Sequence, residues 1–387
     1  MVKVLDLFSG SGGLSLGLTW AGLDVVGAVE LDRFAAETYE HNFPEHNLLQ
    51  KDIRKLSEEE LLKHFKGVDV IVGGAPCQGF SVAGPSQYGI IDSRNNLIME
   101  MFRCIKTLNP KIAVLENVKG ILNGKLTPEK KAIEHYINAL NTIGYKTDIQ
   151  VLQTADFGVP QYRERVFIFA AKNSKHLPNK IKGGYGTNSL PWVSVAQAIM
   201  DLPQIDSGEG VDELITYKNK PQHPYQKLMR KGSKGITNHQ AMKHTSRLIN
   251  RFKHIKAGQS LKDVPDEHGQ RVRNGNKLDV RMRFKMNNQR LHLDKISSSV
   301  TASFQSNFIH PKLHRNLTAR EGARLMSYPD TFVFKGPRTL MSKKLLHREG
   351  RHDEIGLSQY NQIGNSVPPL LAKAIGMEIL KRLKNGQ

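Results

Sequence analysis

The strongest candidate for a reactive side chain is Cys77, in the stretch Gly73-Gly74-Ala75-Pro76-Cys77-Gln78-Gly79-Phe80-Ser81. This stretch follows the apolar run Val68–Gly73, which is typical of a buried strand. Loops rich in glycine and proline bury side chains poorly, so a cysteine here is a candidate nucleophile that needs a base or a positive neighbour to form thiolate. Cys104 lies in the helical pattern Met101–Leu108 instead and is predicted to be a core residue.

A carboxyl group and two guanidinium groups complete the candidate chemistry. Glu116 follows the apolar run Ile112–Leu115, where partial desolvation would raise its pKa and let it donate a proton. In Gln161-Tyr162-Arg163-Glu164-Arg165, an extended backbone would place Gln161, Arg163 and Arg165 on one face. Three donors on one side suit an anionic or carbonyl-bearing ligand.

A glycine-rich loop predicts a second, non-covalent site. Phe8-Ser9-Gly10-Ser11-Gly12-Gly13 follows a strand pattern and opens a helical one, and its glycines would let a ligand approach the backbone. Glu30 lies 20 positions after Gly10 at the end of the next strand pattern, where it could bind ribose hydroxyls. Ser15 stands where a dinucleotide site prefers a third glycine, so an adenosyl ligand without pyrophosphate fits at least as well. Asp52-Ile53, after a third possible strand, could bind adenine.

The elements that must position these residues alternate between strand and helix patterns over residues 1–170. This alternation predicts a parallel sheet with helices on both faces, and such sheets bind ligands at the carboxyl ends of their strands. From about Lys172 the periodicity weakens, and helical patterns return at Leu317–Met326 and Pro369–Leu383. The polar, basic segment Lys335–Ser358 is predicted to be a mobile surface loop.

Composition narrows the class of partner. Lys218 to Arg315 contains 22 basic and five acidic residues, a net +17, whereas the whole chain has +20. So local an excess predicts binding to a polyanion, most simply nucleic acid. The sequence contains no apolar run long enough for a membrane span and starts directly on a strand pattern, which argues against a signal peptide. Two cysteines exclude a disulfide framework and a four-cysteine zinc site, so we expect a reducing, cytoplasmic setting and no metal.

Taken in order, these motifs resemble those of the DNA cytosine-5 methyltransferases over nearly the whole chain. Phe8–Gly13 is similar to that family's S-adenosylmethionine loop, Pro76-Cys77-Gln78 to its nucleophile motif, and Glu116-Asn117-Val118 and Gln161-x-Arg163-x-Arg165 to further catalytic motifs. Residues 318–330 resemble the segment that supports the recognition region, and 362–369 resemble the last motif, which returns to the cofactor. One departure is Ala75, which replaces the proline often found before Pro-Cys.

The resemblance implies a mechanism. Cys77 would attack C6 of cytosine while Glu116 holds the N3/N4 edge and supplies the N3 proton. Arg165, with Arg163, would contact the base carbonyl and the reacting region. C5 would then take the methyl group from the sulfonium of S-adenosylmethionine, and loss of the C5 proton with elimination of Cys77 would release the product. The target base must be flipped out of the duplex, because a stacked base cannot be reached.

The resemblance also implies roles for the remaining candidate residues. The expected cofactor contacts are Phe8, Ser9, Gly10, Gly12, Gly13, Leu14, Glu30, Leu31, Asp52, Ile53, Pro76, Asn365, Ser366 and Val367. The expected DNA contacts are Gln78, Ser81 and Arg94, in or directly before a mobile catalytic loop of roughly Gly79 to Asn95, and Arg281, Arg283 and Arg290 in the basic region.

The expected fold class is therefore α/β, a Rossmann-like S-adenosylmethionine-dependent methyltransferase sheet with a second, smaller and irregular domain. Residues 1–180 and 316–387 would form the catalytic domain and 181–315 the basic target-recognition domain, with double-stranded DNA between them. With no regulatory domain evident, we expect a monomer that protects DNA from a partner restriction endonuclease.

Three alternatives remain open on the sequence. A cytosine-5 methyltransferase acting on tRNA would share the fold, although that relative characteristically follows its Pro-Cys-Gln with residues other than Gly-Phe-Ser. A catalytically silent DNA-binding protein of the same fold would be marked by loss of the nucleophile or the glutamate, and Cys77 and Glu116 are both present. An NAD-dependent enzyme is disfavoured by Ser15.

Overall fold

The computed structural model describes residues 1–76, 97–127, 130–186, 190–271, 287–339 and 343–385. These residues form two compact units. Unit 1 comprises residues 1–157, 163–184 and 366–387, and unit 2 comprises residues 158–162 and 185–365. The chain therefore leaves unit 1 twice and completes it with its C-terminal segment.

Unit 1 is built on a seven-stranded sheet with the strand order β3-β2-β1-β4-β5-β9-β8. Its strands are β1 Lys3–Leu7, β2 Asp24–Glu30, β3 Asn47–Gln50, β4 Val70–Gly73, β5 Ile112–Asn117, β8 Lys146–Gln153 and β9 Glu164–Ala171. The first five strands in this order are parallel, as the sequence predicted. The prediction of a wholly parallel sheet was wrong, because β9 runs antiparallel to both β5 and β8. Two short strands, β6 Lys125–Thr127 and β7 Lys130–Lys131, pair outside this sheet.

Helices cover both faces of the sheet. The helices of unit 1 are α1 Gly13–Trp20, α2 Arg33–Asn42, α3 Glu58–Phe65, α4 Leu97–Leu108, α5 Ala132–Thr142 and α13 Pro369–Asn385. One core lies between the sheet and α3, α4 and α5, and includes Cys104, which is fully buried as predicted. The second core lies against α1 and α13. A side chain at Gly17 of α1 would collide with the Pro369 carbonyl oxygen, 2.3 Å from the Cβ position, so only glycine lets these two helices pack this closely.

Local signals fix most of these bounds. Asp32 caps α2, as the sequence predicted, because its carboxylate accepts the backbone N–H of Ala35 at 3.0 Å. The strands expected around residues 25–30, 68–73, 112–116 and 165–170 all form, with ends that shift by up to two residues. Apolar runs of this length carry enough information to locate a buried strand.

Unit 2 consists of short elements joined by long connections. Its helices are α6 Val195–Ile199, α7 Pro224–Met229, α8 Ser246–Lys253, α9 Phe304–Asn307, α10 Ala319–Leu325, α11 Lys343–Arg348 and α12 Gln359–Asn365. Its strands are the two-residue pairs β10 Gly210–Val211 with β13 His239–Gln240, β11 Ile215–Thr216 with β12 Gly235–Ile236, and β14 Gln289–Arg290 with β15 Phe308–Ile309. Such irregularity agrees with the loss of periodicity after Lys172.

Buried charges take the place of a large sheet in unit 2. The guanidinium of Arg324 on α10 binds the carboxylates of Asp330 and Asp201, and all three side chains are fully buried. Arg315 forms a two-pronged ion pair with Glu321, with both N–O distances 2.8 Å. Breaking such a buried pair leaves an uncompensated charge, so these contacts hold α10 within unit 2.

Two boundary predictions differ from the structure. We expected the chain to return to the first domain at residue 316, but residues up to 365 belong to unit 2 and only those from 366 onward rejoin unit 1. The buried ion pairs of α10 hold residues 315–330 in unit 2. Hydrogen bonds from the side chains of Tyr360 and Asn361 to the carbonyl oxygens of Leu317 and Ala302 hold α12 there. The segment Lys335–Ser358, expected to be a loop, contains the helix α11, with Leu346 buried.

Candidate active site

The carboxyl ends of five adjacent strands bring most of the candidate residues to one edge of the sheet in unit 1. The strand order β3-β2-β1-β4-β5 places along this edge, in sequence, Asp52, Glu30, the glycine loop, Pro76 and Glu116. Because parallel strands end on the same side, this edge is where a ligand would bind.

The glycine loop joins β1 to α1 through an unusual backbone. Phe8 has φ +57° and Gly10 has φ +54°, both in the left-handed region. A Cβ at Gly10 would have no atom within 4 Å, so the backbone there borders open space. Gly12 serves a different purpose, since its Cβ would lie 2.5 Å from the Phe43 ring. Gly10 is thus the glycine at which a ligand could approach the backbone, whereas Gly12 allows close packing.

Glu30 ties the end of β2 to this loop. One carboxylate oxygen accepts the backbone N–H of Gly10 at 2.8 Å, and the other accepts those of Leu31 and Asp32 at 2.9 and 2.7 Å. Burial raises its pKa, against the effect of these hydrogen bonds. A carboxylate offers about four acceptor positions. Three are used, and one remains for a hydroxyl such as that of a ribose.

Side chains at the β3 end of the edge are already engaged. The Asp52 carboxylate accepts two hydrogen bonds from the Arg54 side chain through Nε and Nη2, which holds its pKa below the usual range. The Ile53 side chain packs in the core of unit 1, and its contact with an adenine stays a prediction. Leu31, in contrast, is 61% exposed and offers an apolar surface to a planar ring.

The remaining predicted cofactor residues fall into two groups. Gly13 begins α1, while Leu14 and Val367 are buried in the core beside it. The exposed or partly exposed group comprises Pro76, Asn365 and Ser366. The Ser9 side chain is buried, and its hydroxyl makes no hydrogen bond in the described structure.

Glu116 and Arg165 form an ion pair at the end of β5. The Arg165 Nε lies 3.1 Å from a Glu116 carboxylate oxygen, and the two side chains are only 14% and 13% exposed. Burial raises the pKa of Glu116, while Arg165 and Arg163 act in the opposite direction. Arg165 also donates to the backbone carbonyl of Glu164 at 2.7 Å. The pair presents a desolvated carboxyl group whose charge is controlled by a fixed cation.

We predicted that Gln161, Arg163 and Arg165 share one face and could bind one ligand. In the structure, each of the three side chains contacts a different part of the protein. In unit 2, the Gln161 amide donates to the Leu325 carbonyl and accepts the backbone N–H of Val300. In unit 1, Arg163 is 4% exposed and its guanidinium reaches the Ser366 carbonyl at 3.4 Å. Of the three, Arg165 is the one whose guanidinium pairs with Glu116.

Asn117 is a residue whose contribution the sequence analysis did not identify. Its side-chain NH₂ donates to the Ala75 carbonyl at 3.1 Å, and its side-chain oxygen accepts the N–H of Val118 at 2.8 Å. Asn117 therefore fixes the backbone two residues before Cys77 to the end of β5. Its place next to Glu116 in a motif was the available signal, but its partner depends on the sheet order.

Six predicted site residues lie outside the described residues, namely Cys77, Gln78, Ser81, Arg94, Arg281 and Arg283. Their roles stay predictions.

Arg290 differs from the prediction that it contacts DNA. It is 5% exposed, and its guanidinium donates to the carbonyl oxygens of Ile255, His310, Leu313 and Phe252 and to the ring of His314. These contacts use all five N–H groups of an arginine, so none remains for a phosphate or a base. The structure assigns Arg290 to the internal scaffold of unit 2.

A large cavity in unit 2 is lined mainly by residues of the basic segment 218–315. Its volume is about 810 Å³, and its lining includes Arg247, Arg271, Gln270, Asn287 and Asn288. Guanidinium and carboxamide groups are the side chains that most often bind phosphates and base edges.

Within the described ranges, no group of three or more His, Cys, Asp and Glu side chains is arranged to hold a metal ion. Among the same residues, no helix has the length and hydropathy that crossing a bilayer would require.

Comparisons with known proteins identify the family to which this fold and sequence are similar. Residues 2–381 match the family model for C-5 cytosine-specific DNA methylases. The chain is 42% identical over 380 residues to the type II methyltransferase M.DdeI of Desulfomicrobium norvegicum, with coverage of 98% of this chain and 88% of the relative. It is 34% identical to the type II methyltransferase M1.HphI of Haemophilus parahaemolyticus, covering 98% and 87% of the two chains.

Solved structures of methyltransferases are similar to this chain as well. A prophage-encoded chain from E. coli, described as a DNA modification methyltransferase, superposes with a TM-score of 0.75 at 26% identity, covering 99% of this chain and 100% of that one. The Dnmt2 methyltransferase of S. pombe, at 18% identity, a TM-score of 0.55 and full coverage of both chains, shows the same fold. With the family model spanning nearly the whole sequence, this chain belongs to the C-5 cytosine-specific DNA methylase family.

Proposed function

We propose that this protein methylates C5 of a flipped-out cytosine in a specific sequence of double-stranded DNA. The observation that carries the proposal is the Glu116–Arg165 pair, a desolvated carboxyl group at the sheet edge next to the segment that leads to Cys77. The nucleophile and the acid would thus approach one base from adjacent strands, β4 and β5.

Glu116 acts as the proton donor in this proposal. Its raised pKa keeps a larger fraction of the carboxyl protonated near neutral pH than an exposed glutamic acid would have. As the Cys77 thiolate forms a bond to C6, the Glu116 proton passes to N3, which makes C5 nucleophilic. Arg165 limits the rise in pKa and stabilises the carboxylate that remains. After methylation the C5 proton is lost to solvent, Cys77 leaves C6 as the thiolate, and the N3 proton returns to Glu116.

The sheet edge fits S-adenosylmethionine, which supplies an electrophilic methyl group when bound. The open space above Gly10, the free acceptor position of Glu30 and the exposed Leu31 side chain form a surface of the required polarity. Leu31 would cover one face of the adenine, and Glu30 would accept a ribose hydroxyl. Asp52 would bind the adenine amino group only by sharing its carboxylate with Arg54.

Recognition of DNA is assigned to unit 2. The +17 charge of residues 218–315 supplies the phosphate contacts, and the cavity lined by Arg247, Arg271 and Asn288 supplies donors and acceptors for base edges. Arg281 and Arg283, in the same basic stretch, remain proposed DNA contacts.

The relatives named type II methyltransferases suggest the biological setting. We propose that the enzyme protects host DNA from a restriction endonuclease of the same specificity. A matching endonuclease gene beside this one, with bisulfite sequencing that places the methylated cytosine in its cleavage site, would support this; absence of any such gene would argue against it.

The chemistry is tested with duplex DNA that contains 5-fluorocytosine at the target, together with S-adenosylmethionine. Fluorine at C5 blocks the final elimination, so a covalent protein–DNA adduct should accumulate with the parent protein and not with Cys77→Ser. Glu116→Gln should reduce adduct formation by roughly 10²- to 10⁴-fold, the usual contribution of a general acid.

Each of the other outcomes would refute one part of the proposal. An adduct with 5-fluorocytosine RNA alone would move the enzyme to RNA substrates. No adduct on either nucleic acid, from a protein that still binds DNA, would refute methyl transfer. An adduct that survives Cys77→Ser would refute the assignment of the nucleophile.

A further inference from the structure

The cavity of unit 2 has a positively charged wall without compensating carboxylates. Its described lining includes the side chains of Arg247, Arg251 and Arg271 and no acidic residue. Arg247 and Arg251 stand four positions apart on α8, so they lie on the same face of the helix, where two like charges repel each other. This arrangement is unfavourable unless an anion lies against it.

Arg251 differs from the other arginines that unit 2 buries. Among the described residues, the buried arginines of unit 2 are Arg251, Arg290, Arg315, Arg320 and Arg324. Carboxylates act on Arg315, Arg320 and Arg324 and offset the cost of burying their charge. Arg290 lacks a carboxylate, but all five of its N–H groups donate to internal acceptors. Arg251 has neither form of compensation.

The guanidinium of Arg251 is only partly satisfied by the protein. Its Nε donates to the His268 carbonyl at 2.7 Å, and its Nη2 donates to the Gly269 carbonyl at 3.0 Å. These bonds use two of five N–H groups, and the other three have no acceptor among the described residues. Burial lowers the pKa of Arg251 and the charge of Arg247 lowers it further, with no described carboxylate acting against them. Arg251 is 7% exposed and lines the cavity, so a ligand there can reach it.

The other lining residues do not reverse this positive charge. His244 is neutral, because burial lowers its pKa and its Nε2 accepts the backbone N–H of Asn316 at 3.3 Å. Arg247 is exposed and forms no ion pair in the described part of the chain. The carboxamides and hydroxyls that complete the lining carry no charge. The cavity therefore favours an anion over a metal cation.

The setting of the cavity indicates a phosphate group as this anion. Guanidinium groups bind phosphates through paired N–H bonds. The cavity, of about 810 Å³, is far larger than a lone phosphate requires, and the carboxamides of Asn287 and Asn288 in the same lining match the edge of a base. The cavity also lies in the +17 segment, which favours the backbone of DNA over a small free anion. This step rests on the proposed function, which makes DNA the substrate.

We propose that Arg251, assisted by Arg247, binds one phosphate group of the substrate DNA inside this cavity. The helix α8 then belongs to the DNA-binding face of unit 2. No residue of α8 was predicted from the sequence to contact DNA.

The first test is the salt dependence of binding to duplex DNA that contains the methylated sequence. S-adenosylhomocysteine, which lacks the methyl group, replaces the methyl donor so that no turnover occurs. Arg251→Met should weaken binding about 10-fold or more at low salt and reduce the slope of log K against log salt concentration by about one. Arg290→Met removes the same charge from an enclosed arginine, so the slope should stay at the parent value.

A second variant keeps the test open if Arg251→Met unfolds, which circular dichroism would show. Arg247 is exposed and has no ion pair among the described residues, so Arg247→Met should fold as the parent does. It should weaken DNA binding about 2- to 5-fold, the range for an exposed ion pair.

The second test locates the phosphate on the DNA. A methylphosphonate linkage replaces one charged phosphate oxygen by a methyl group and so removes the charge at a single position. One such linkage should weaken binding of the parent protein and have no further effect on Arg251→Met, because the two changes remove the same contact. Arg290→Met should remain as sensitive to that linkage as the parent.

Four results would overturn the proposal or its basis. Equal loss of salt slope in Arg251→Met and Arg290→Met would show a general effect of charge. Parent affinity in both Arg251→Met and Arg247→Met would show that α8 does not contact DNA. If Arg251→Met stayed sensitive at every linkage while inorganic phosphate raised the unfolding temperature of the parent alone, the site would bind a free anion instead. A parent protein that binds no duplex DNA would refute the proposed function itself.

Discussion

Replacing Glu321 by glutamine should destabilise unit 2 strongly, although the substitution is nearly isosteric. Glu321 is the third residue of a capping box, in which its side chain accepts the backbone N–H of Thr318 at 2.8 Å. Glutamine can keep that hydrogen bond. What it removes is the charge opposite Arg315, whose guanidinium lies 2.8 Å from both carboxylate oxygens in a fully buried setting.

The expected magnitude follows from burial. Removing one partner of a buried pair costs about 3–5 kcal/mol, because the other charge is left without compensation. For a unit of 150–250 residues each kcal/mol corresponds to about 2–4 °C, so the midpoint of thermal unfolding should fall by about 6–20 °C. His310, whose Nε2 lies 3.8 Å from Glu321, cannot replace the lost carboxylate, because an imidazole is either neutral or positively charged.

The chain contains a matched control. Glu60 is also the third residue of a capping box, with Ser57, and also pairs with a basic side chain, Lys51 at 2.6 Å. Its side chain is 39% exposed and the pair is solvated, so Glu60→Gln should lower the free energy of unfolding far less than Glu321→Gln does. Urea unfolding would be followed by far-ultraviolet circular dichroism, and by Trp192 fluorescence in a Trp20→Phe background to report on unit 2.

The pH dependence of the free energy of unfolding tests the same ion pair. Arg315 holds the pKa of Glu321 far below its ordinary value of 4.5, so its stabilisation is present in full above that value and declines as pH falls below it. The difference between the parent and Glu321→Gln should therefore shrink in acid. Equal losses for Glu321→Gln and Glu60→Gln at neutral pH, or a difference that grows in acid, would refute the argument from burial.

Four further substitutions distinguish residues that stabilise the fold from residues that serve the site. Asn117→Ala should slow formation of the 5-fluorocytosine adduct about 10- to 100-fold, because the segment before Cys77 loses its anchor, while affinity for S-adenosylhomocysteine stays the same; a change in affinity alone would contradict this. Gly12→Ala should lower the free energy of unfolding by about 1–3 kcal/mol through overpacking, whereas Gly10→Ala should weaken S-adenosylhomocysteine binding more than it lowers stability. The reverse order would show that these two glycines have been misassigned. Arg290→Met should cost about 3 kcal/mol or more in unfolding free energy and leave the salt dependence of DNA binding unchanged, since a lost phosphate contact would reduce the slope by about one.

Sequence alone was sufficient wherever the signal was local. The strand ends that carry Glu30 and Glu116 were predicted because a short apolar run followed by a polar residue is typical of a buried strand and its end. Asp32 was predicted to cap α2 from its residue type and its position before the helix. The glycine loop was recognised for the same reason. These features depend on residues within one turn or one strand.

What could not be predicted depends on partners distant in the chain. Arg290 was taken for a DNA contact because an arginine in a basic segment usually faces solvent, yet carbonyl groups 20 to 38 positions away enclose it. The direction of β9 is set by the path of the chain between β8 and β9 and leaves no trace in strand composition. The helix α11, six residues long, is too short for its periodicity to be visible.

The antiparallel direction of β9 has a consequence for how this sheet assembles. Glu116 pairs with Phe167, so Arg165 lies diagonally across the ladder on the same face. A slip of one residue would bring Val166 opposite Glu116 and set Glu164 on the diagonal, so that a buried carboxylate would face another instead of a guanidinium. The ion pair therefore also selects the strand register during folding. A misregistered sheet would be destabilised by the same two carboxylates, and only correctly assembled molecules would carry a functional acid.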